Sequence, residues 1–192
     1  FTTSPNNDSN YNGQSFVAWC WKAGGTAVAN GNGSIASQVS VNQDAGFSIV
    51  SYTANQTSGA TVGHGLGKIP KMIIVKQRLG NVNNWPVYHA GTGNTKALYL
   101  DLTLSEGGDF AGAWNNTSPT SSVFSLGNSV ETNRDTNPYI AYCWAEIEGY
   151  SKFGSYTGNA SDDGPFVYCG FKPAWVMVKN ADDTSGRDWG IQ

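Results

Sequence analysis

The feature that most constrains this chain is an internal repeat with a spacing of about 100 residues. Several short blocks recur 103 or 104 residues farther along the chain: Gly46-Phe47-Ser48 as Gly149-Tyr150-Ser151, Ile73-Ile74-Val75-Lys76 as Val176-Met177-Val178-Lys179, and Trp85 as Trp189. Because the blocks keep one register, chance is a poor explanation. The repeat therefore predicts serial copies of one building block.

A second match has a different spacing. Phe-Val-Ala-Trp-Cys-Trp at residues 16–21 matches Tyr-Ile-Ala-Tyr-Cys-Trp at residues 139–144, 123 residues later. The extra residues that account for the difference between the two spacings have to lie between Trp21 and Gly46, where the chain is rich in Gly, Asn and Ser. This composition is typical of a connector, so residues 25–45 are predicted to be a linker.

The two spacings together predict the domain organisation. Residues 46–148 form one complete unit, residues 1–24 are the C-terminal part of a preceding unit, and residues 149–192 are the N-terminal part of the next. We interpret the chain as a window on a longer tandem array. The alternative is that the two partial pieces combine into one permuted, incomplete unit. Either arrangement leaves strand edges that neighbours have to cover.

The apolar residues alternate with a period of two, which indicates strands. Strands are predicted at residues 47–52, 62–66, 71–76, 85–89, 97–102, 123–126 and 139–144. The strand at residues 85–89 is expected at a sheet edge because Pro86 cannot donate to a ladder. No stretch has helical spacing. The fold class is therefore all-β, with β-sandwich or jelly-roll-like units in tandem, one complete unit being flanked by partial units.

Composition excludes several classes of protein. With 7 Trp, 9 Tyr and 8 Phe the chain is too aromatic to be disordered. A net charge of -3 with 11 basic residues argues against a nucleic-acid partner. No apolar run is long enough for membrane insertion. Three widely spaced cysteines make neither a disulfide framework nor a zinc site, and Cys20 and Cys143 are expected to be buried, inert thiols.

No residue pattern predicts a catalytic site, a metal site or a cofactor. His64 lies in a glycine-rich stretch that lacks nucleotide-loop spacing, and it is interpreted as a turn residue. His89 has no nucleophile motif to accompany it. Asp101, Glu106 and Asp109 could supply a glycosidase pair, but their surroundings are typical of an exposed loop.

Aromatic residues give the best chemical indication. Trp19, Trp21, Trp144 and Trp175 fall in strand-like runs and are interpreted mostly as core residues. The candidate ligand-binding site is a glycan contact, in which the Trp ring stacks on a sugar while neighbouring amides bind its hydroxyls. Its residues are Trp114, Asn115 and Asn116. The alternative is a loop tryptophan that packs on the end of the sandwich.

Four stretches resemble a repeat family of uncharacterised virion proteins in marine bacteriophages. They are residues 18–25, residues 46–53, residues 62–76 with Val-Gly-His-Gly-Leu-Gly-Lys-Ile-Pro, and residues 148–159 with Glu-Gly-Tyr-Ser-Lys-Phe-Gly-Ser-Tyr-Thr-Gly-Asn. Members of that family often occur beside concanavalin-like laminin-G modules. The resemblance covers nearly the whole chain. It implies a tail fibre or another component of the virion surface, and it carries no catalytic residues.

The resulting hypothesis is a non-catalytic structural and adhesive module of a phage tail fibre or other virion surface component, in contact with host-surface glycans. Its expected partners are other virion subunits, including further copies of itself, and its expected location is the virion, after synthesis in the host cytoplasm. Two alternatives stay open. One is a polysaccharide-degrading enzyme of the tailspike type, and the other is a bacterial surface adhesin or filament subunit.

Overall fold

The computed structural model describes residues 10–80, 83–105, 111–183 and 185–192. Strands account for 32% of the chain and helices for 4%, which confirms an all-β protein. The elements in chain order are β1 (Val28–Asn30), β2 (Ser37–Asn42), β3 (Phe47–Thr53), β4 (Ala60–Gly63), β5 (Met72–Gln77), β6 (Pro86–His89), β7 (Gly93–Tyr99), α1 (Ala111–Trp114), β8 (Val123–Leu126), α2 (Val130–Asn133), β9 (Pro138–Trp144), β10 (Met177–Val178) and β11 (Gly190–Ile191).

Seven strands form one antiparallel sheet in the order β1-β2-β3-β9-β5-β6-β7. Strand β9, the last of them in sequence, lies in the middle and pairs with β3 on one side and β5 on the other. Trp144, at one end of β9, is opposite Phe47 of β3 and Met72 of β5. The sheet is therefore complete only when β9 is inserted between two groups of strands.

The period-two alternation gives the sheet two different faces. On one face, Val50, Ile73 and Cys143 belong to a buried cluster that also contains Val62 of β4 and Phe124 of β8. Strands β4 and β8 pair with each other as a separate two-stranded sheet. The main core thus lies between the seven-stranded sheet and this smaller one.

The opposite face of the sheet carries a smaller buried cluster around Ile74, Val87 and Leu98. Phe153, Ala181 and Trp189, which come from the C-terminal part of the chain, pack against it. Residues beyond 148 therefore cover part of the sheet that the preceding residues form.

The prediction of a linker at residues 25–45 is wrong in its secondary structure. This segment contains β1 and β2, and its Ile35 and Val39 are buried. Gly33 serves close packing rather than flexibility, since a Cβ atom on it would lie 2.3 Å from the carbonyl oxygen of Thr61. Whether residues 46–148 constitute one repeat unit remains a prediction.

The prediction of an edge strand at residues 85–89 is also wrong. Strand β6 lies between β5 and β7, and β7 is the edge. Pro86 is tolerated because it is the first residue of β6 and lies opposite Tyr99 of β7, whereas pairing with β5 begins at Val87.

The strand pair β10–β11 repeats the register of β5–β6. Ile74 is opposite Val87 in the first pair, and Met177 is opposite Ile191 in the second. The equivalent positions, Ile74 with Met177 and Val87 with Ile191, are 103 and 104 residues apart in sequence. The repeat is thus visible in strand pairing at this position, while the tandem arrangement of whole units remains a prediction.

The two short helices, α1 and α2, contain four residues each. The side chain of Ser129 caps α2 by accepting a hydrogen bond from the Glu131 amide. In the part of the chain that the structure describes, no helix has the length and apolar character needed to cross a bilayer.

Candidate functional site

Trp114, the predicted stacking residue, is buried at the end of α1. Its relative exposure is 1%, and its ring meets that of Tyr88 edge-on, with the centroids 5.9 Å apart. The expectation of an exposed ring is therefore wrong, since a sugar cannot reach either face. The physical reason is that the helical turn of residues 111–114 directs the indole into the core between the two sheets, whereas the alternative interpretation had placed it on the end of the sandwich.

Asn115 and Asn116 follow Trp114 and lie nearer the surface. Both have left-handed backbone angles, with φ values of 53° and 48°, a conformation that Asn tolerates better than most residues. The Oδ1 atom of Asn115 accepts a hydrogen bond of 2.8 Å from the Ser58 hydroxyl. The two asparagines therefore shape a turn. Glycan binding at this turn remains a prediction, and it now depends on Asn115 and Asn116 without Trp114.

The two histidines have structural partners. His64 is fully buried, its Nε2 atom lies 3.2 Å from the Thr120 carbonyl oxygen, and its Nδ1 atom accepts from the Leu66 amide. Burial lowers its pKa. His89 accepts a hydrogen bond from the Gly91 amide on Nδ1, and burial lowers its pKa too. Both rings stabilise loops next to strands.

The acidic residues do not converge in the described part of the chain. Asp101 accepts a hydrogen bond of 2.9 Å from the Trp85 amide, and Asp183 pairs with Arg187. Glu106 and Asp109 lie outside the described residues. Among residues 10–80, 83–105, 111–183 and 185–192, no group of three or more His, Cys, Asp or Glu side chains could hold a metal ion.

Three other tryptophans are exposed, and one of them, Trp175, contacts each of the other two. Trp19, Trp21 and Trp175 have relative exposures of 52%, 42% and 41%. The ring of Trp175 lies 6.4 Å from that of Trp19 and 5.9 Å from that of Trp21. We call these three residues the tryptophan cluster. Their interpretation as core residues is wrong, and the structure brings together positions that are more than 150 residues apart in sequence.

The tryptophan cluster rests on the end of the seven-stranded sheet. Trp21 meets Trp144 edge-on at 5.7 Å and lies 6.3 Å from Phe47. The segment that carries Trp21 is fixed nearby, since the Lys22 carbonyl accepts a hydrogen bond from the side-chain Nδ2 of Asn42. The cluster is thus packed against the sheet on one side and exposed to solvent on the other. Such a surface can stack on the apolar face of a sugar or receive another apolar surface.

The cysteines divide into two classes. Cys143 is buried in β9, and burial raises its pKa to about 12, which agrees with the expectation of an inert thiol. Cys20, its counterpart in the sequence repeat, is exposed, so for this residue the expectation is wrong. The difference arises because residues 16–21 are in no strand, whereas their counterparts form the central strand β9.

Comparison with known proteins gives one match. No curated protein matches the chain, and no solved structure matches it. The match is to a protein family that is described as a domain of unknown function, DUF7483, and it extends over residues 1–192. Because this match covers every residue of the chain, the protein belongs to the DUF7483 family.

Proposed function

We propose that this chain is a structural and adhesive module of a bacteriophage tail fibre or other virion surface component, that it has no catalytic activity, and that it contacts host-surface glycans. The sequence resemblance supplies the virion setting. The observation that carries the adhesive role is the tryptophan cluster. An exposed group of three large aromatic rings on a rigid sheet is typical of a contact surface rather than of a monomer's ordinary exterior.

The cluster suits carbohydrate better than the turn at Trp114 does. Its rings are between 41% and 52% exposed, whereas that of Trp114 is 1% exposed. Indole rings offer flat apolar faces, and their Nε1 groups can donate to hydroxyls. Each such contact is weak, and several modules in one particle would raise the overall avidity.

The structural role rests on the β architecture and on the repeated strand pair. Tandem sandwich or jelly-roll-like units extend reach from a particle surface, and a seven-stranded antiparallel sheet is a rigid element for that purpose. The equal register of β5–β6 and β10–β11 supports serial units. Other virion subunits, including copies of this chain, are the partners this role requires.

Glycan titration tests the adhesive role. Purified host-surface polysaccharide is added to the protein while tryptophan fluorescence is recorded. Trp19→Ala and Trp175→Ala should each weaken binding by about tenfold, which corresponds to ~1.4 kcal/mol. Tyr156→Ala is the matched control, since Tyr156 is an exposed aromatic residue outside the cluster. Equal affinity of all variants and the wild type would contradict the adhesive role.

Two further measurements separate the proposal from its alternatives. Antibodies against this chain should label purified phage particles in electron micrographs, whereas labelling of bacterial cells alone would favour a bacterial adhesin or filament. Reducing-sugar release is measured on the same polysaccharide. Release above a heat-inactivated control would favour a tailspike-type enzyme.

A further inference from the structure

A polar groove crosses strands β1, β2, β3 and β9 at one end of the seven-stranded sheet. Its volume is about 330 Å³, which lies within the range of small-molecule sites, roughly 300–1,000 Å³. Thr53 and Pro138, which line the groove, pair at one end of the β3–β9 ladder. Phe47 and Trp144, which contact the tryptophan cluster, pair at the other end. The groove is therefore a surface separate from the cluster.

Strand register places the polar side chains of the groove on one face of the sheet. Gln38 is opposite Ser51 in the β2–β3 ladder, and Thr53 follows Ser51 by two residues on β3, so all three share a face. Thr53 is opposite Pro138, whose carbonyl accepts a hydrogen bond of 2.8 Å from the amide of Arg78. Arg78 thus continues the β5–β9 ladder, and its side chain is on the same face as that of Thr53.

These polar groups are available to a ligand. The side chains of Gln38, Thr53 and Arg78 are exposed, and that of Ser51 is half-buried. None of the four has a side-chain hydrogen bond or ion pair with another described residue. Ala29, which is opposite Gln38, adds only a methyl group to the groove and so leaves room above the sheet. The groove therefore combines a small-residue floor with free polar groups.

Arg78 gives the groove a single positive charge. No Asp or Glu is among the described residues that line it. Lys76, two residues earlier on the same face, is engaged elsewhere, since its ammonium donates to the Asn83 carbonyl and lies 5.2 Å from the centre of the Trp85 ring. A guanidinium can bind both oxygens of a carboxylate in one plane. A phosphate monoester brings close to two negative charges at neutral pH, so a carboxylate matches the groove better.

The uncharged groups indicate what carries the carboxylate. The hydroxyls of Ser51 and Thr53 and the amide of Gln38 can each donate and accept hydrogen bonds. Residues two apart on a strand are separated by about 7 Å, a distance that one sugar ring can bridge. A hexuronate has hydroxyls around its ring and a carboxylate at one end, which is the pattern that this groove complements.

We propose that the groove binds a carboxylate-bearing sugar residue of a polysaccharide, with the carboxylate on Arg78 and the ring hydroxyls on Gln38, Ser51 and Thr53. The class of ligand rests on the proposed glycan contact, which this inference deepens by naming an acidic sugar and a second binding surface. Indole rings stack on neutral and acidic sugars alike, whereas Arg78 distinguishes between them.

Two matched sugars test the proposal. Methyl glucuronide carries a carboxylate where methyl glucoside carries a hydroxymethyl group, and each is added to isotope-labelled protein while the amide resonances are followed by NMR. The glucuronide should shift the amides of Gln38, Ser51, Thr53 and Arg78. It should bind about tenfold more tightly than the glucoside, because it adds one charge-assisted pair. Equal affinities, or shifts confined to residues outside the groove, would overturn the proposal.

Three variants separate the charge contact from the hydroxyl contact. Arg78→Gln should abolish the preference for the glucuronide. Lys68→Gln makes the same change of charge at an exposed lysine outside the groove and should keep the preference. Thr53→Val replaces a hydroxyl by a methyl group and should weaken the binding of both sugars. All three positions are exposed, so the thermal midpoints should stay close to that of the wild type. A preference that survives Arg78→Gln would refute the role of Arg78.

Simple anions and a cluster variant complete the test. Sodium acetate and inorganic phosphate should each bind more weakly than the glucuronide, and equal or tighter binding of either would refute an acidic-sugar site. Trp19→Ala should leave the glucuronide titration unchanged, because Trp19 does not line the groove. If the glucuronide fails to bind while Trp19→Ala still weakens polysaccharide binding, the groove assignment is wrong and the proposed function stands.

Discussion

Lys179 occupies in the second strand pair the position that Lys76 occupies in the first. The Nζ atom of Lys76 donates to the carbonyl of Asn83, and the Nζ atom of Lys179 donates to the carbonyl of Arg187. The two donors are 103 residues apart in sequence, and the two acceptors are 104 residues apart. The ammonium of Lys76 also lies 5.2 Å from the centre of the Trp85 ring. A side-chain contact is thus repeated together with the backbone register, although almost all the residues around it differ.

Equivalent positions in the two strand pairs should differ strongly in their contribution to stability. Ile73 has a relative exposure of 0%, whereas its counterpart Val176 has one of 37%. Ile73→Ala should lower the free energy of unfolding by about 2–5 kcal/mol, because it leaves a cavity in the main core. Urea unfolding monitored by circular dichroism measures the loss. Val176→Ala is the matched control and should cost less than about 1 kcal/mol; equal losses would contradict the assignment of the core.

Asn133 should be the most sensitive polar residue of the molecule. It is fully buried at the end of α2, where its Oδ1 accepts from the amides of Asn55 and Gln56 and its Nδ2 donates to the carbonyls of Thr57 and Gly127. Asn133→Ala leaves these buried groups unpaired and should destabilise the protein by about 3 kcal/mol or more.

Asn133→Asp tests the same network in another way. An aspartate keeps the two acceptor bonds but turns an acidic oxygen toward two carbonyl oxygens, so it should restore little stability at neutral pH. Asn12→Ala, at an exposed position with a negative φ, serves as the control and should change the thermal midpoint by less than about 2 °C. A midpoint that is unaffected by Asn133→Ala would refute the role of the network.

Thiol labelling should distinguish Cys20 from Cys143. Cys20 is exposed, while Cys143 is buried and has its pKa raised to about 12. Because the thiolate is the reacting form, Cys143 should resist Ellman's reagent in the native protein and react only after denaturant is added. Mass spectrometry of the labelled peptides identifies which cysteines have reacted. Rapid native labelling of Cys143 would show that the central strand opens readily.

His64 should make the protein sensitive to mild acid. Burial lowers the pKa of His64 below its ordinary value of 6.5, so protonation favours the unfolded chain. The resulting loss of stability is absent well above pH 6.5, and it grows as the pH falls from there through the lowered folded-state pKa. His64→Gln removes this loss along with the hydrogen bonds of the ring. In urea unfolding, the variant should be less stable than the wild type at pH 8, and the gap should narrow by pH 5.

The change of this stability difference with pH is what tests the role of His64. Every other titrating group, including His89, is common to both proteins and cancels in the difference. A gap that stays the same from pH 8 to pH 5 would mean that His64 does not titrate with the sign expected from its burial.

Sequence alone predicted most of the strands, because alternation is local. The strands at residues 47–53, 72–77, 123–126 and 138–144 lie where period-two patterning placed them. Strands β1 and β2 escaped prediction because the glycines and asparagines around them are also the residues of linkers. Position 33 requires glycine because the main chain of Thr61 lies beside it. This close contact joins residues that are far apart in sequence, so the local pattern does not show it.

The candidate site was harder to predict, because exposure depends on tertiary contacts. Trp114 stands among polar residues in the sequence, yet a single helical turn buries it. Trp19 and Trp175 lie in strand-like runs, yet their rings are exposed because no strand forms at residues 16–21 and β10 begins only at Met177. Local pattern gives side-chain alternation but does not establish whether a neighbouring strand is present.

The central position of β9 has a consequence for how the protein is made. A ribosome releases β1, β2 and β3 first, then β5, β6 and β7, and each group can close through local hairpins of short span. Neither group can join the other until residues 138–144 have left the exit tunnel. During elongation the nascent polypeptide therefore carries two half-sheets with exposed inner borders, and the final step of assembly is the entry of one seven-residue strand between them.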